Sequence, residues 1–342
     1  MKKILLSSFL FLVSLISMNE VSALELVDGM YVNSLGVEMT EVQIENLRSL
    51  AFTERNIDQM TQEEFDYNCN LSGEVVSTDN TYYKTTYLPK SATTYSLNAD
   101  DYFVLNEEIS EEEYYNNSGV SIAATCGTGD SCWQTEYKKL ETKITKISAN
   151  SSKSGYEHGA YRLRSDLEWS ISPKIRAYDI LATAHANNNL SKIAASQYAK
   201  QEWLIVEYDE SDGGWNEVWG QATYSHSHSY WTVNDADGYA VKMNLKNDEI
   251  STDGEHIDRV QYMSSYMYYD VTNASENLKV SIINAYGSYQ HATVDISLNE
   301  IGSLLLDISL PNIIKFALDN VSLKYDNMRG THTQITNASW TY

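Results

Sequence analysis

Proline, cysteine and basic residues are scarce in this sequence of 342 residues. The chain has 3 prolines, 3 cysteines and 24 lysines and arginines against 47 aspartates and glutamates, so its formal net charge is −23. The scarcity of basic residues argues against a nucleic-acid partner, because phosphate binding depends on clustered lysines and arginines. The acidity could attract divalent cations, but solubility explains it more simply.

Long apolar runs are also missing, except at the N-terminus. Lys2 and Lys3 precede the apolar residues 4–16, and the small residues 21–23 follow. This pattern predicts that residues 1–23 are a secretory signal peptide. This run of thirteen residues spans only about 20 Å as a helix, which is too short to anchor the chain in a bilayer core of about 30 Å. We therefore expect a secreted, extracellular protein with no membrane span after signal removal.

An oxidising compartment makes the three cysteines candidates for disulfide formation. Cys126 and Cys132 flank a short segment that contains two glycines, which allow so small a loop to close. We predict a disulfide between them, although Cys69 could pair with either one instead. The cysteines lack the paired Cys and His spacing of a structural zinc site, and we predict no cofactor.

Helix-capping signals recur in residues 24–70. Thr40 with Gln43, and Thr61 with Glu64, have the spacing of a capping box, in which the threonine and the later side chain each bond the other's backbone amide. Apolar residues at helical spacing follow them, namely Ile44, Leu47, Leu50, Phe52, Ile57, Met60 and Phe65. The pattern predicts a small helical module that can bury too little apolar surface to be stable alone.

Part of this module is similar to known sequences. Residues 36–65, which include Phe52-Thr53-Glu54 and Met60-Thr61-Gln62-Glu63-Glu64-Phe65, resemble a segment near the N-terminus of uncharacterised secreted proteins from low-GC Gram-positive bacteria. Residues 166–169 and 176–180 resemble a strand pair in the same proteins. The resemblance implies secretion and strand content, and it carries no activity.

Acidic residues dominate the middle of residues 71–132. Seven aspartates and glutamates lie between Asp100 and Glu113, and no lysine or arginine occurs from residue 91 to residue 137. Charge blocks of this kind usually remain solvated, so we predict an acidic linker that carries a strand or two. A calcium site is the alternative, but the carboxylates lack the glycine-turn spacing of a binding loop.

Alternating apolar and polar residues characterise residues 133–342. Val241, Met243 and Leu245 fall on one face of a strand, and polar turn clusters at residues 209–214 and 234–238 separate the apolar segments. Repeated short strands of this type predict an antiparallel β-sandwich. The predicted fold class is therefore mainly β, with the sandwich preceded by the small helical module.

Two histidines in this domain are candidate metal ligands. His226 and His228 would share one face of a strand, where both imidazoles could bind one transition metal. The further ligands are open and include His185, His256, His291 and Asp235. A polar, solvent-facing strand is the simpler interpretation.

Catalytic residues cannot be assigned from the sequence. Cys126-Gly127 and Cys132-Trp133 invite comparison with papain-like proteases, with His291 as a base, but the cysteine spacing is wrong and no helix signal follows. A pair of glycosidase carboxylates need not be close in sequence. Whether the protein is an enzyme stays open, and the sequence favours a non-enzyme.

Aromatic residues give the strongest indication of binding. Exposed tyrosine and tryptophan can stack on sugar rings or anchor a protein interface, whereas buried ones simply fill a core. The three tyrosines of one predicted strand face, and the tryptophans of the preceding segments, are the candidates. The candidate ligand-binding residues are Trp215, Trp219, Trp231, Tyr262, Tyr266 and Tyr268.

Residues 304–318 alternate in polarity on either side of Pro311-Asn312, which predicts a hairpin. The hairpin could be a buried element or, less simply, could insert into a membrane. A short helix after Pro311 is a further alternative. The leading hypothesis is thus a secreted, non-enzymatic protein that binds a glycan or a host or cell-surface ligand. The alternatives are a secreted hydrolase with dispersed carboxylates and a β-pore-forming protein.

Overall fold

The computed structural model describes the chain from residue 24 onward, with gaps. The described residues are 24–89, 102–117, 134–170, 172–173, 175–186, 189–209, 214–234, 238–250, 256–275, 277, 280–293, 304–310, 313–318, 325–326 and 330–342. The predicted signal peptide (residues 1–23) and the predicted Cys126–Cys132 disulfide lie outside them. The chain divides into two units, Met1–Arg48 with Phe52–Asn70, and Ser49–Ala51 with Leu71–Tyr342.

Three short strands and three helices make up the N-terminal part of the chain. They are β1 (Glu25–Val27), β2 (Met30–Val32), β3 (Glu38–Met39), α1 (Glu41–Ser49), α2 (Glu54–Asp58) and α3 (Gln62–Asn68). The three strands form an antiparallel sheet. The predicted helical module is confirmed, and the small sheet that precedes its helices is an addition to the prediction.

The capping signals explain where the helices begin. The Thr40 amide donates to Gln43 Oε1 over 2.8 Å, and the Gln43 amide donates to Thr40 Oγ1 over 3.3 Å. Thr61 accepts from the Glu64 amide at the start of α3. Asn33, which follows β2, connects the strands to the helices, because its buried side chain donates to the Ile57 carbonyl in α2 and to the Met60 carbonyl just after it.

The larger unit consists mostly of antiparallel strands. Its elements are β4 (Gly73–Pro89), β5 (Tyr102–Ile109), α4 (Glu111–Asn117), β6 (Gln134–Ile147), β7 (Ala160–Trp169), β8 (Tyr178–His185), β9 (Leu190–Lys192), β10 (Tyr198–Asp209), β11 (Gly214–Tyr224), β12 (Trp231–Asn234), β13 (Gly238–Asn244), β14 (Glu249–Ile250), β15 (Ile257–Asn273), β16 (Ile283–Gln290), β17 (Leu304–Leu310), β18 (Ile313–Leu318) and β19 (Thr331–Ile335).

Two sheets of the larger unit pack against each other. Within the described residues, a nine-stranded sheet has the order β11-β10-β15-β7-β6-β4-β5 with β9 and β14 also paired to β15, and a five-stranded sheet has the order β12-β13-β8-β16-β19. Alternate residues of β7 and β15, such as Leu163 and Met267, enter a core shared with Leu181 and Val241 of the five-stranded sheet. The prediction of a mainly β fold with packed antiparallel sheets is confirmed.

Polar groups also cross the space between the sheets. Thr183 donates to Ser165 Oγ over 2.7 Å, and His185 Nδ1 lies 2.9 Å from the hydroxyl of Tyr269. The sheets approach so closely at Gly287 that a Cβ there would lie 2.7 Å from the hydroxyl oxygens of Ser165 and Thr331. Only glycine therefore fits at this point of β16.

The sequence predicts an acidic linker that carries a strand or two at residues 71–132. Its described residues include α4 and two strands of the nine-stranded sheet, with β4 paired to β6 along nearly its whole length. The buried residues of β4 are Thr81, Tyr82, Tyr83, Thr85 and Tyr87, all of which carry a hydroxyl group. Hydroxyl-bearing side chains with high strand propensity thus form the strand, although they contribute little apolar periodicity.

The predicted hairpin in residues 304–318 is present. β17 pairs antiparallel with β18 from Leu304 opposite Leu318 to Leu310 opposite Ile313, and the register shifts once between Asp307 and Leu310. The turn residues Pro311 and Asn312 lie outside the described part of the chain.

In the described residues, none of the helices has the length and apolar character needed to cross a membrane.

Candidate functional site

A cleft of about 450 Å³ opens on the nine-stranded sheet, where β10, β11 and β15 run together. It combines aromatic, aliphatic, cationic and amide side chains in one small area. The lining residues are Val206, Trp215, His256, Ile257, Arg259 and Gln261. Its volume falls within the range of about 300–1,000 Å³ that is typical of sites for small molecules.

A β-bulge shapes this part of the sheet. Leu204 pairs with Tyr262 and Ile205 pairs with Val260, so Gln261 is an extra residue on β15. A bulge changes the local twist and alters which side chains point to each face. Val260 is buried in the core, whereas Arg259 and Gln261 on either side of it are exposed. The bulge thus places both polar side chains at the cleft.

Trp215 is the most exposed aromatic residue of the cleft. It lies near the start of the edge strand β11, opposite Tyr208, and its side chain is 53% exposed. Tyr208 and His256 stack with ring centroids 3.8 Å apart, and the indole meets both rings edge-on at centroid distances of 5.3 and 5.7 Å. Two packed rings therefore hold the indole in place while more than half of it contacts solvent.

The Arg259 side chain supplies the positive charge of the cleft. It is exposed, and in the described part of the chain its guanidinium makes neither a hydrogen bond nor an ion pair. Two neighbouring carboxylates have other partners. Asp258 accepts from the Tyr208 amide, and Asp248 pairs with Arg176 and accepts from the Val260 amide over 2.8 Å.

Three of the six predicted binding residues lie together near the cleft. Trp219 is on the same face of β11 as Trp215, and its indole packs edge-on against Tyr262 at a centroid distance of 5.7 Å. Trp219 and Tyr262 are both half-buried. Aromatic surface therefore extends from the cleft along two adjacent strands.

Tyr266 and Tyr268 are on the same face of β15, but both are buried, with exposures of 2% and 0%. The guanidinium carbons of Arg164 and Arg162 lie 4.3 and 4.0 Å from the centroids of their rings. The alternative interpretation, that these tyrosines fill the core, therefore holds for Tyr266 and Tyr268, and only Tyr262 of the three candidates is partly exposed.

Trp231 is remote from the cleft in the sheet arrangement. It begins β12 in the five-stranded sheet, where its indole Nε1 donates to the Ser225 carbonyl over 2.8 Å and its ring packs edge-on against Tyr239. These contacts give Trp231 a structural role at the edge of the core.

His226 and His228 do not share a strand face. Residues 225–230 form turns between β11 and β12, so the predicted strand at this position is wrong. His228 Nδ1 accepts from the Tyr230 amide over 3.2 Å, and the imidazole packs edge-on against Tyr224 and Tyr230. Among the residues described, no group of three or more His, Cys, Asp or Glu side chains is arranged to hold a metal ion.

A second cluster of ionisable residues is enclosed between the sheets. Its members are at most 3% exposed and are Glu136, Lys138, Asp179, His291 and Asp326. The imidazole of His291 lies between two carboxylates, with Nδ1 2.9 Å from Asp179 Oδ2 and Nε2 3.9 Å from Glu136 Oε2. Lys138 forms a close ion pair with Asp326, and its ammonium lies over the ring of Trp169.

The pKa of His291 reflects this environment. Burial lowers the pKa of the imidazole, but the charge and hydrogen bond of Asp179 outweigh burial, so the pKa is raised above its usual value. Tyr289 donates to Asp179, and burial together with that carboxylate raises the pKa of its hydroxyl. An imidazole between two carboxylates could exchange protons with a substrate, but full burial of these groups makes their evident role structural.

Sequence reasoning missed the nonaromatic part of the cleft. Ile257, Arg259 and Gln261 alternate along β15 immediately before Tyr262, and this alternation was the available signal. The alternation alone does not show which face of the sheet these side chains occupy, because the bulge moves every residue on one side of it to the opposite face.

Comparison with protein-family models and with curated proteins gives no match for this chain.

Proposed function

We propose that this protein is a secreted, non-enzymatic binding protein that uses the cleft beside Trp215 to hold a sugar residue of an extracellular glycan. The observation that carries the proposal is the exposed indole of Trp215, held edge-on by Tyr208 and His256 at the rim of a cleft. A sugar ring has an apolar face of C–H groups and a polar edge of hydroxyls. The indole offers a flat apolar surface for the first of these.

The polar residues of the cleft suit the hydroxyl edge of a sugar. The guanidinium of Arg259 supplies donors, and the amide of Gln261 supplies both a donor and an acceptor. Few polar groups placed around an apolar surface are typical of a site that orients a small ligand. Secretion is supported by the N-terminal sequence, since a signal peptide would deliver the domain to the compartment where glycans occur.

Glycan-array binding followed by calorimetry with the selected oligosaccharide tests the proposal. We expect Trp215→Ala to weaken binding by tenfold or more, because removal of a central aromatic anchor commonly costs about 2 kcal/mol of binding free energy. Tyr342→Ala is the matched control, since Tyr342 is a similarly exposed aromatic residue outside the cleft. Equal affinities of the wild type and Trp215→Ala, or no glycan bound by the wild type, would contradict the proposal.

A further inference from the structure

Arg259 differs from the other arginines whose contacts the structure describes. Four arginines form ion pairs with carboxylates, namely Arg48 with Glu54, Arg162 with Asp270, Arg164 with Asp166, and Arg176 with Asp248. Within the described residues, Arg259 has no such partner. In a chain of net charge −23, carboxylates are abundant. An exposed guanidinium that none of the described carboxylates engages is therefore a marked feature of the cleft.

The sheet register places Arg259 and Trp215 on one face. Val206 pairs with Arg259 on one side and with Glu217 on the other, while Tyr208 pairs with Trp215 two residues further along β10. With strands about 4.8 Å apart and about 3.4 Å of rise per residue, the Cβ atoms of Arg259 and Trp215 lie about 12 Å apart. Both side chains line the same cleft, so a single small ligand there has both within reach.

We infer that the cleft selects sugars that carry a carboxylate, with Arg259 binding the carboxylate while Trp215 stacks on the ring. The inference rests on the proposed glycan-binding function. A guanidinium is planar and presents parallel N–H donors that match the two oxygens of a carboxylate. Among the lining residues that the structure describes, Arg259 is the one arginine or lysine, and His256 packs against two aromatic rings.

Glu217 opposes this selectivity and so provides a second test. It is exposed and lies across β10 from Arg259, with Val206 between them. Its charge reduces the local positive potential without forming an ion pair to the guanidinium. Replacing Glu217 by glutamine should therefore strengthen binding of an acidic sugar and leave binding of an uncharged one nearly unchanged.

The experiment compares oligogalacturonides and glucuronic acid oligosaccharides with their methyl esters, which have the same skeleton without the charge. We expect the full-length wild-type chain to bind the preferred acid at least tenfold more tightly than its ester, because a hydrogen bond to a charged group contributes appreciably to binding. Arg259→Gln should abolish this preference, so that the acid and its ester bind with equal affinity. Glu217→Gln should increase the preference about twofold to fivefold, as expected of a partly screened charge.

The outcomes separate this inference from the proposed function. Equal binding of acid and ester by the wild type, a preference that survives in Arg259→Gln, or stronger binding of sulfated than of carboxylated sugars would overturn the carboxylate inference and leave glycan binding intact. Loss of all binding in Trp215→Ala supports the shared site. If the wild type binds neither acids nor esters nor any arrayed glycan, both proposals are wrong.

Discussion

Near each end of strand β15 the sheet carries an arginine and an aromatic residue, which are exposed to solvent at one end and buried at the other. At one end, Arg259 and the indole of Trp215 are exposed at the cleft. At the other end, Arg162 and Tyr268 are fully buried, with the guanidinium carbon 4.0 Å from the ring centroid. Arginine beside an aromatic ring is therefore not in itself a sign of a binding site. Burial and the presence of a carboxylate partner distinguish the two ends.

The buried end is a hydrogen-bonded network centred on Asp270. Arg162 donates to both oxygens of Asp270 over 2.8 and 2.9 Å, and Tyr156 donates to the same carboxylate over 2.5 Å. Burial lowers the pKa of Arg162, but Asp270 more than compensates, so the pKa of the guanidinium is raised. At the exposed end the guanidinium has no such acceptor within the described residues, and a ligand can supply one.

Asp270→Ala should produce the largest effect on folding. It removes the carboxylate that accepts hydrogen bonds from Arg162 and Tyr156 in an enclosed site, and breaking a buried ion pair typically costs about 3–5 kcal/mol. Urea unfolding followed by fluorescence measures the change. Glu217→Gln, which alters an exposed carboxyl group, is the control and should remain within about 0.5 kcal/mol of the wild type. A similar stability for both variants would remove the distinction drawn between the two ends.

The pH dependence of stability tests the enclosed polar groups further. Burial, together with the Lys192 charge, lowers the pKa of His185 to about 4 from the ordinary value of 6.5. Below pH 6.5 the unfolded chain binds a proton at this residue that the folded chain does not, so stability falls as the pH decreases toward 4. The neutral His185 imidazole therefore accounts for a difference in the free energy of unfolding on the order of 3 kcal/mol between pH 6.5 or above and pH 4 or below.

His185→Gln should therefore reduce the loss of stability between pH 6.5 and pH 4. The difference between the variant and wild-type curves isolates His185 from the many carboxylates that also titrate in acid. His291 has the opposite sign, because its raised pKa favours the folded state at low pH and this contribution is lost as the pH rises through that pKa. Parallel curves for the wild type and His185→Gln would show that the imidazole is not held neutral by burial.

The sequence predicted those features that depend on local chemistry. Capping by Thr40 and Thr61, the hairpin between β17 and β18, and packed antiparallel sheets all follow from short-range patterns. The position and length of strand β4 were not predicted, because its buried residues Thr81, Tyr82, Tyr83, Thr85 and Tyr87 show no alternation of apolar and polar side chains. A hydroxyl-rich core carries no binary pattern that sequence reasoning can detect.

The site was harder to predict because it depends on long-range features. Tyr262, Tyr266 and Tyr268 occupy one strand face as expected, but burial by the rest of the fold removes the last two from solvent. Gln261 reaches the cleft through a bulge whose presence is visible only in the pairing of β10 with β15. Periodicity therefore identified the face that carries the site, but not which end of it is open.

A paired substitution on that face makes the comparison direct. Tyr266→Leu should cost about 1–3 kcal/mol, because it removes the ring that stacks on Arg164 and leaves a poorly filled space. Tyr262→Leu, four residues earlier on the same strand, should cost less than about 1 kcal/mol since Tyr262 is only half-buried. The urea midpoints of the two variants provide the measurement. A larger loss of stability in Tyr262→Leu than in Tyr266→Leu would contradict the conclusion that the exposed end of this face is at Tyr262.

The smallest expected change in stability belongs to the cleft itself. Trp215→Ala and Arg259→Gln should each alter the free energy of unfolding by no more than about 0.5 kcal/mol, because both side chains are exposed and the guanidinium makes no hydrogen bond within the described residues. Both variants should nevertheless change binding of the acidic sugar by tenfold or more. A side chain whose replacement weakens binding but does not change stability acts in ligand binding and not in folding. A stability loss of 2 kcal/mol or more in either variant would instead assign that side chain to the packing of the sheet.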